Sequence, residues 1–114
     1  MALYEIEEAD QFLKDVEEAA VWILITNLEQ SESLANKKVN DLKTDLDSLR
    51  ERLRSYPESG EAGEVPGLRR FPIYEGRYSA KWIVIHSARL VTLVALSDSK
   101  YPRQLRQFHI DDDE

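Results

Sequence analysis

The chain has 114 residues, no cysteine and a formal net charge of −7. Its length suits a single domain with its own core, and the lack of cysteine excludes a disulfide framework, a thiolate metal site and a cysteine nucleophile. With 42% hydrophobic and 32% charged residues, the composition is that of a globular rather than a disordered protein.

The chain opens with a short alternating segment, Leu3 to Ile6, which predicts an edge strand. From about Glu8 to Leu28 apolar residues recur at spacings of three and four, which predicts an amphipathic helix. Trp22 and Ile25 lie outside the main apolar stripe, and we expect them to pack under the sheet; the alternative is contact with a partner. The predicted apolar stripe comprises Phe12, Val16, Ala19, Ala20, Ile23 and Leu24, and the polar face comprises Asp15, Glu17 and Glu18.

A second helix follows a polar turn at Asn27 to Ser33, in which Ser31 or Ser33 can cap its first backbone amides. Pro57 ends this helix, because the residue before proline avoids the helical region. The short connection predicts an antiparallel helical hairpin. The apolar seam of this helix has heptad-like spacing and comprises Leu42, Leu46, Leu49, Leu53 and Tyr56.

The segment Pro57 to Gly67 is rich in glycine and proline and is predicted to be an exposed loop. Three strands follow it, at Leu68–Tyr74, Arg77–His86 and Leu90–Leu96, joined by tight turns. Proline cannot donate to a strand ladder, so Pro72 predicts an edge or a bulge. We expect residues 97–101 to leave the sheet and residues 103–110 to form a short helix or an arm.

The predicted fold is therefore α+β, a two-helix antiparallel hairpin packed on a small antiparallel sheet in the order β-α-α-β-β-β. Residues 1–110 form one domain, and residues 111–114 form an acidic, solvated tail. The tail could instead fold over the basic sheet and compete with an anionic ligand. No apolar run is long enough to span a membrane and no signal peptide is present, which predicts a cytoplasmic protein.

Positive charge is concentrated in the predicted sheet. Residues 1–64 carry seven basic and 16 acidic side chains, whereas residues 65–110 carry eight basic and two acidic ones. Local charge, more than the total, determines which partners bind. The candidate binding residues are Arg69, Arg70, Arg77, Lys81, Arg103 and Arg106.

Most enzyme classes leave no signature in this sequence. It contains no Ser/His/Asp set, phosphate-binding loop or dinucleotide-binding glycine pattern. His86 and His109 are too far apart and share no motif, so we predict neither a metal site nor a cofactor.

Several short motifs, taken in order, resemble the RelE/ParE superfamily of bacterial toxins from toxin–antitoxin pairs. The resemblance covers residues 3–102 and is closer to the ParE-like branch, which also includes plasmid-stabilisation proteins. The matching residues are Asp10, Phe12 and Val16 at the start of helix 1, Pro57-Glu58-Ser59-Gly60, Gly67-Leu68-Arg69-Arg70-Phe71 and Gly76-Arg77-Tyr78.

The resemblance implies one of two activities. One branch binds DNA gyrase and inhibits it without breaking a bond. The other cuts mRNA on the ribosome, where cations stabilise the phosphorane charge and a Tyr, His or Glu moves protons. For the second activity the candidate catalytic residues are Arg69, Arg70, Arg77, Lys81 and Tyr101.

The segment after the last strand favours the first activity, because Asp98 stands where the ribonucleases have a cation. We therefore expect a toxin that inhibits DNA gyrase, with a ribosome-dependent endoribonuclease or a non-toxic relic as alternatives. The expected partners are a cognate antitoxin and either DNA gyrase or the ribosome, with a homodimer or a hetero-oligomer left open. The basic cluster binds a nucleoprotein target or an acidic antitoxin segment, or else is a solvated face paired with Glu75 and the acidic hairpin.

Overall fold

The computed structural model describes residues 3–99, which form two helices and five strands. The predicted α+β class is confirmed. Two residues of the predicted loop, Glu61 and Ala62, form an additional strand. Sequence periodicity cannot detect this strand, because two residues show no alternation. In chain order the elements are β1 (Glu5–Glu8), α1 (Asp10–Leu28), α2 (Glu32–Ser55), β2 (Glu61–Ala62), β3 (Leu68–Ile73), β4 (Tyr78–Ile85) and β5 (Leu90–Asp98), with a 3₁₀ turn at His86–Ala88.

The strands form one mixed sheet in the order β1-β5-β4-β3-β2. Strands β2 to β5 pair antiparallel with one another, whereas β1 runs parallel to β5, with Ile6 beside Val91. The predicted N-terminal edge strand is confirmed, but the prediction of an entirely antiparallel sheet is wrong. Parallel neighbours need a long crossover connection, and the two helices with the three intervening strands provide it here.

Pro72 lies on an open edge of the sheet. Strand β3 pairs with β2 only through Arg69 and Arg70, so among residues 3–99 Pro72 has a strand neighbour on one side alone, opposite Ser79 of β4. The prediction of an edge position at this proline is confirmed. A bulge does occur, but in the β4–β5 pairing, where the register shifts between Lys81 and Trp82.

Both helices pack on one face of the sheet, which we call the inner face. The predicted leucine seam of α2 is confirmed except for Tyr56, which is 69% exposed. The prediction is wrong for Tyr56 because α2 ends at Ser55, and the backbone of Tyr56 has already left the helix, with a φ of −131°. The core contains Phe12, Ala19 and Ile23 from α1, Leu42, Leu46, Leu49 and Leu53 from α2, and Tyr78, Ala80, Trp82, Val91, Leu93 and Leu96 from the sheet.

The ends of α2 are fixed as the sequence indicates. The Ser31 hydroxyl accepts a hydrogen bond from the Leu34 amide at 2.8 Å, which confirms the predicted N-cap. At the other end the indole Nε1 of buried Trp82 donates to the Pro57 carbonyl at 2.8 Å. Thus the proline that stops the helix also ties it to the centre of the sheet. Neither helix in residues 3–99 is long and apolar enough to cross a membrane.

Asp15 is buried, with only 3% of its surface exposed, so its predicted place on the polar face of α1 is wrong. Its Oδ2 accepts a hydrogen bond from the Leu96 amide at 3.0 Å, and its Oδ1 accepts one from Gln11 Nε2 at 2.9 Å. Strand β1 pairs with β5 only as far as Leu93. In the described part of the chain no strand lies beside β5 on this side beyond that residue, and the carboxylate takes the place of a backbone acceptor.

Tyr74 in the β3–β4 turn gives the fold an expected alkaline limit. Burial, followed by the nearby Asp41 carboxylate, raises the pKa of Tyr74 above its ordinary value of 10.0. The folded state therefore holds this proton more tightly than the unfolded state, and the resulting stability is present below about pH 10 and lost as the pH rises. We expect Tyr74→Phe to flatten the alkaline fall of the unfolding free energy, measured by urea titration from pH 8 to 11. Tyr56→Phe, at an exposed phenol, is the control; equal flattening in both variants would contradict the assignment.

Candidate functional site

The four predicted cations of the sheet do not form one cluster. In the β3–β4 pairing Arg70 lies opposite Lys81, and Arg69 lies opposite Trp82. Successive side chains of a strand point to opposite faces. Arg70 and Lys81 therefore lie side by side on the face away from the helices, the outer face, whereas Arg69 shares the inner face with Trp82. Arg77 lies in the turn before β4, roughly 13 Å from Lys81 along the strand.

Each of the two cations on the outer face has an acidic neighbour. Lys81 Nζ lies 2.9 Å from Glu64 Oε1, and Arg70 Nε lies 3.4 Å from Glu61 Oε1. The hydrogen bond from Lys81, together with the charges of Lys81 and Arg70, lowers the pKa of Glu64 below its ordinary value. Both carboxylates come from the segment between α2 and β3.

Arg69 is also occupied, since its Nη2 donates to the Gly60 carbonyl at 2.9 Å. The predicted pairing of the basic cluster with Glu75 and the helical hairpin is therefore wrong for Arg69, Arg70 and Lys81. Their partners come instead from the predicted loop, because its short strand β2 pairs with β3 and lies at the same edge of the sheet.

Arg77 and Asp98 form a two-pronged ion pair. Arg77 Nε lies 3.0 Å from Asp98 Oδ1, and Nη2 lies 3.2 Å from Oδ2. Such bidentate pairs fix the position of both groups. The expectation that the chain leaves the sheet at Ser97 is wrong, because β5 continues to Asp98, directly opposite Tyr78. Asp98 therefore acts as the counter-ion of Arg77.

Several predicted site residues cannot be placed in this way. Tyr101, Arg103, Arg106 and His109 lie outside the described residues, as does the acidic tail at 111–114. Within residues 3–99 the structure brings Arg70 and Lys81 together and places Arg69 on the opposite face of the sheet. Arg77 lies away from all three, in the turn between β3 and β4.

His86 joins three distant parts of the chain. The hydroxyl of Tyr4 and His86 Nδ1 are 2.6 Å apart, and His86 Nε2 lies 3.0 Å from Glu58 Oε1. Since a carboxylate only accepts, Nε2 carries a hydrogen, and in a neutral ring Nδ1 accepts from the phenol. Residues 3–99 contain no group of three side chains suited to a metal ion. The cluster holds β1, the loop after α2 and the β4–β5 turn against one another.

Sequence periodicity missed an exposed apolar surface on α1. Trp22 and Ile25 are 45% and 58% exposed, so the expectation that they pack under the sheet is wrong. The helix touches the core through Phe12, Ala19 and Ile23, which lie on its other side. With Val21 and Leu28, which are also about half exposed, they form what we call the α1 patch: Val21, Trp22, Ile25 and Leu28. A shallow groove extends it, lined by Lys14, Glu17, Glu18, Val21, Trp22 and Ile25.

Neither a protein-family model nor a curated protein sequence matches this chain, but solved structures do. A chain of the chromosomal ParDE toxin–antitoxin system from P. aeruginosa aligns with a TM-score of 0.60 and 16% identity, over 83% of this chain and 95% of that one. The isolated E. coli RelE toxin aligns with a TM-score of 0.53 and 15% identity, over 92% and 98%. A mutant E. coli RelE in the free state gives a TM-score of 0.54 at 12% identity, over 88% and 86%.

At these identities a structural likeness is informative about the fold. It extends over most of both chains in each comparison. The chain therefore has the fold of the RelE/ParE toxins, as the resemblance of its sequence motifs predicted.

Proposed function

We propose that this protein is the toxin of a bacterial toxin–antitoxin pair, acting in the cytoplasm by binding a nucleic-acid machine and stopping its work. The fold is one shared with ParDE and RelE toxin structures. The observation that carries the proposal is the pair Arg70–Lys81, two cations side by side on the sheet face that the helices leave uncovered. Paired cations on a rigid sheet suit an anionic surface, because the strands fix their spacing.

We propose DNA gyrase as the target. Cutting RNA needs cations that are available to stabilise the charge of the phosphorane. Arg77, one of the candidate catalytic cations, is held in a bidentate pair by Asp98. Arg69 faces the helices and donates to a backbone carbonyl. This arrangement supports binding over bond-breaking. A ribosome-dependent endoribonuclease is the second candidate, supported by the likeness to isolated E. coli RelE.

We further propose that a cognate antitoxin covers the α1 patch. Its four apolar side chains are about half exposed on one side of the helix. Contiguous exposed apolar surfaces of this kind mark protein–protein contacts, and tryptophan is enriched among residues that dominate binding energy. The flanking Lys14, Glu17 and Glu18 supply a charged rim that fits an amphipathic segment.

Controlled induction of the gene in a bacterial host tests the proposal. The gyrase reading expects growth arrest with DNA-damage signalling while mRNA stays intact, and purified protein should inhibit DNA supercoiling by gyrase. Codon-spaced cuts in translated mRNA would transfer the assignment to the endoribonuclease. A folded, abundant protein that leaves growth unchanged would identify a non-toxic relative that only binds a partner.

The variant Arg70→Ala/Lys81→Ala should abolish growth arrest, because it removes both cations of the outer face. Two charge-assisted contacts at about 1.5–3 kcal/mol each correspond to a loss in target affinity of more than a hundredfold. The measurement is colony formation after induction, with protein levels checked by blotting. Lys37→Ala/Lys43→Ala removes the same charge from exposed positions on α2 and should stay toxic. Equal toxicity of both double variants would show that the outer face is not the working surface.

A further inference from the structure

The segment between α2 and β3 places two carboxylates on the paired cations of the outer face. We call residues 58–64, with the sequence ESGEAGE, the acidic loop; it contains three acidic residues and no basic one. Glu61 lies 3.4 Å from Arg70, and Glu64 lies 2.9 Å from Lys81. The loop thus provides one carboxylate for each of the two cations that the sheet brings together.

The backbone holds these carboxylates in place. Strand β2 pairs Glu61 directly with Arg70, and Gly63 N donates to the Leu68 carbonyl at 2.7 Å. Gly60 has a φ of +91°, and a Cβ there would lie 2.5 Å from the Arg70 carbonyl oxygen. Only glycine allows this close approach without a shift of the backbone. The loop is therefore built against β3 rather than lying near it by chance.

The attachment is nevertheless slight. Strand β2 has two residues, and the side chains of Glu61 and Glu64 are 64% and 53% exposed. Ion pairs this exposed contribute little, because water and salt screen them. Lys81, by contrast, is only 18% exposed, and its ammonium group contacts the exposed carboxylate of Glu64. A ligand that pairs with this ammonium group at the same place must therefore displace Glu64.

We propose that the acidic loop is an internal competitor that occupies the outer face with its own carboxylates until the phosphates of a nucleic-acid strand displace it. Carboxylate and phosphate oxygens accept from the same ammonium and guanidinium donors, and arginine and lysine bind phosphate well. A strand that presents several linked phosphates gains from releasing its counter-ions, whereas each glutamate offers a single charge. The inference rests on the proposed role of the outer face as the working surface and adds its ligand chemistry and its regulation.

The variant Glu61→Gln/Glu64→Gln tests the loop with little change of shape. We expect it to bind a fluorescein-labelled 20-nucleotide single-stranded DNA about tenfold more tightly than the wild type at 50 mM salt, by fluorescence anisotropy. Adding Arg70→Gln/Lys81→Gln should remove the whole gain. Circular dichroism and thermal melting would establish that all variants are folded.

The matched control is Glu17→Gln/Glu29→Gln, which removes the same charge from an exposed position on α1 and from the exposed residue that caps its C-terminal end. An equal gain in the control would overturn the inference, since net charge would then explain it. The inference would also be overturned if the loop variant bound the DNA no more tightly than the wild type. The same holds if the variant gained affinity for a poly-glutamate peptide instead of for the DNA. Growth assays separate the two proposals. If the wild type arrests growth but the loop variant binds DNA no more tightly, only the competitor role of the acidic loop is refuted. If the loop variant binds DNA more tightly but the wild type does not arrest growth, only the toxin function is refuted.

Discussion

Replacing Asp15 with alanine is expected to lower the free energy of unfolding by about 3 kcal/mol. The substitution leaves the amide of Leu96 without its acceptor inside the core, and an unsatisfied buried donor costs about 1–3 kcal/mol. It also removes the hydrogen bond from Gln11 and leaves a gap beside β5. The better helix propensity of alanine offsets only a few tenths of a kcal/mol of this loss. Urea unfolding followed by circular dichroism gives the measurement.

Asp15→Asn provides the informative comparison, because its amide oxygen still accepts from Leu96 and its shape is nearly that of aspartate. We expect it to retain more than half of the stability that alanine loses. Glu17→Ala, two residues away on the exposed side of α1, should change the unfolding free energy by less than about 0.5 kcal/mol. A loss below 1 kcal/mol for Asp15→Ala would show that water satisfies the Leu96 amide.

Trp22→Ser/Ile25→Ser should weaken antitoxin binding by more than a hundredfold. Both side chains are about half exposed in the free protein, so the change leaves the core intact. In a complex they would be desolvated together, and truncation of a central tryptophan alone commonly costs 2 kcal/mol or more. The measurement is rescue of growth by co-expression of the cognate antitoxin, followed by isothermal titration calorimetry with that antitoxin.

Leu13→Ser is the control for the α1 patch. Leu13 is 50% exposed, like Trp22, but lies on another side of α1. The substitution removes an apolar side chain that is exposed to a similar degree, and it should leave the rescue of growth by the antitoxin unchanged. If Leu13→Ser weakened the complex as much as the double variant, the antitoxin would not bind through the patch, and the exposed tryptophan would need another explanation.

Local pattern was sufficient for most of the fold. The leucines of α2 repeat with a period that only a helix satisfies, and Ser31 and Pro57 mark its two ends chemically. The two tight turns separated the three C-terminal strands in the same way. The parallel pairing of β1 with β5 was not predictable, because it depends on where the chain returns after a long excursion and no local residue records that.

The site was less predictable, because its partners are distant or ambiguous. Asp15 reads as a surface charge until Leu96, 81 positions later, supplies a buried amide. Trp22 continues an apolar run, and periodicity cannot tell whether a second apolar side of a helix is covered by the same chain or by another. The cations were found from composition, yet their carboxylate partners Glu61 and Glu64 appeared only with the pairing of β2 and β3.

The parallel pairing of β1 with β5 has a consequence for the timing of synthesis. Glu8 pairs with Leu93, so β1 leaves the ribosome well before β5, the one strand that lies beside it in residues 3–99, exists. At about 5–20 residues per second this interval is roughly 4–17 s. The contact between Tyr4 and His86 closes over the same span. A chain interrupted before β5 therefore has neither the neighbour of its first strand nor Asp98 to hold Arg77, and the complete sheet can form only once translation has passed its last strand.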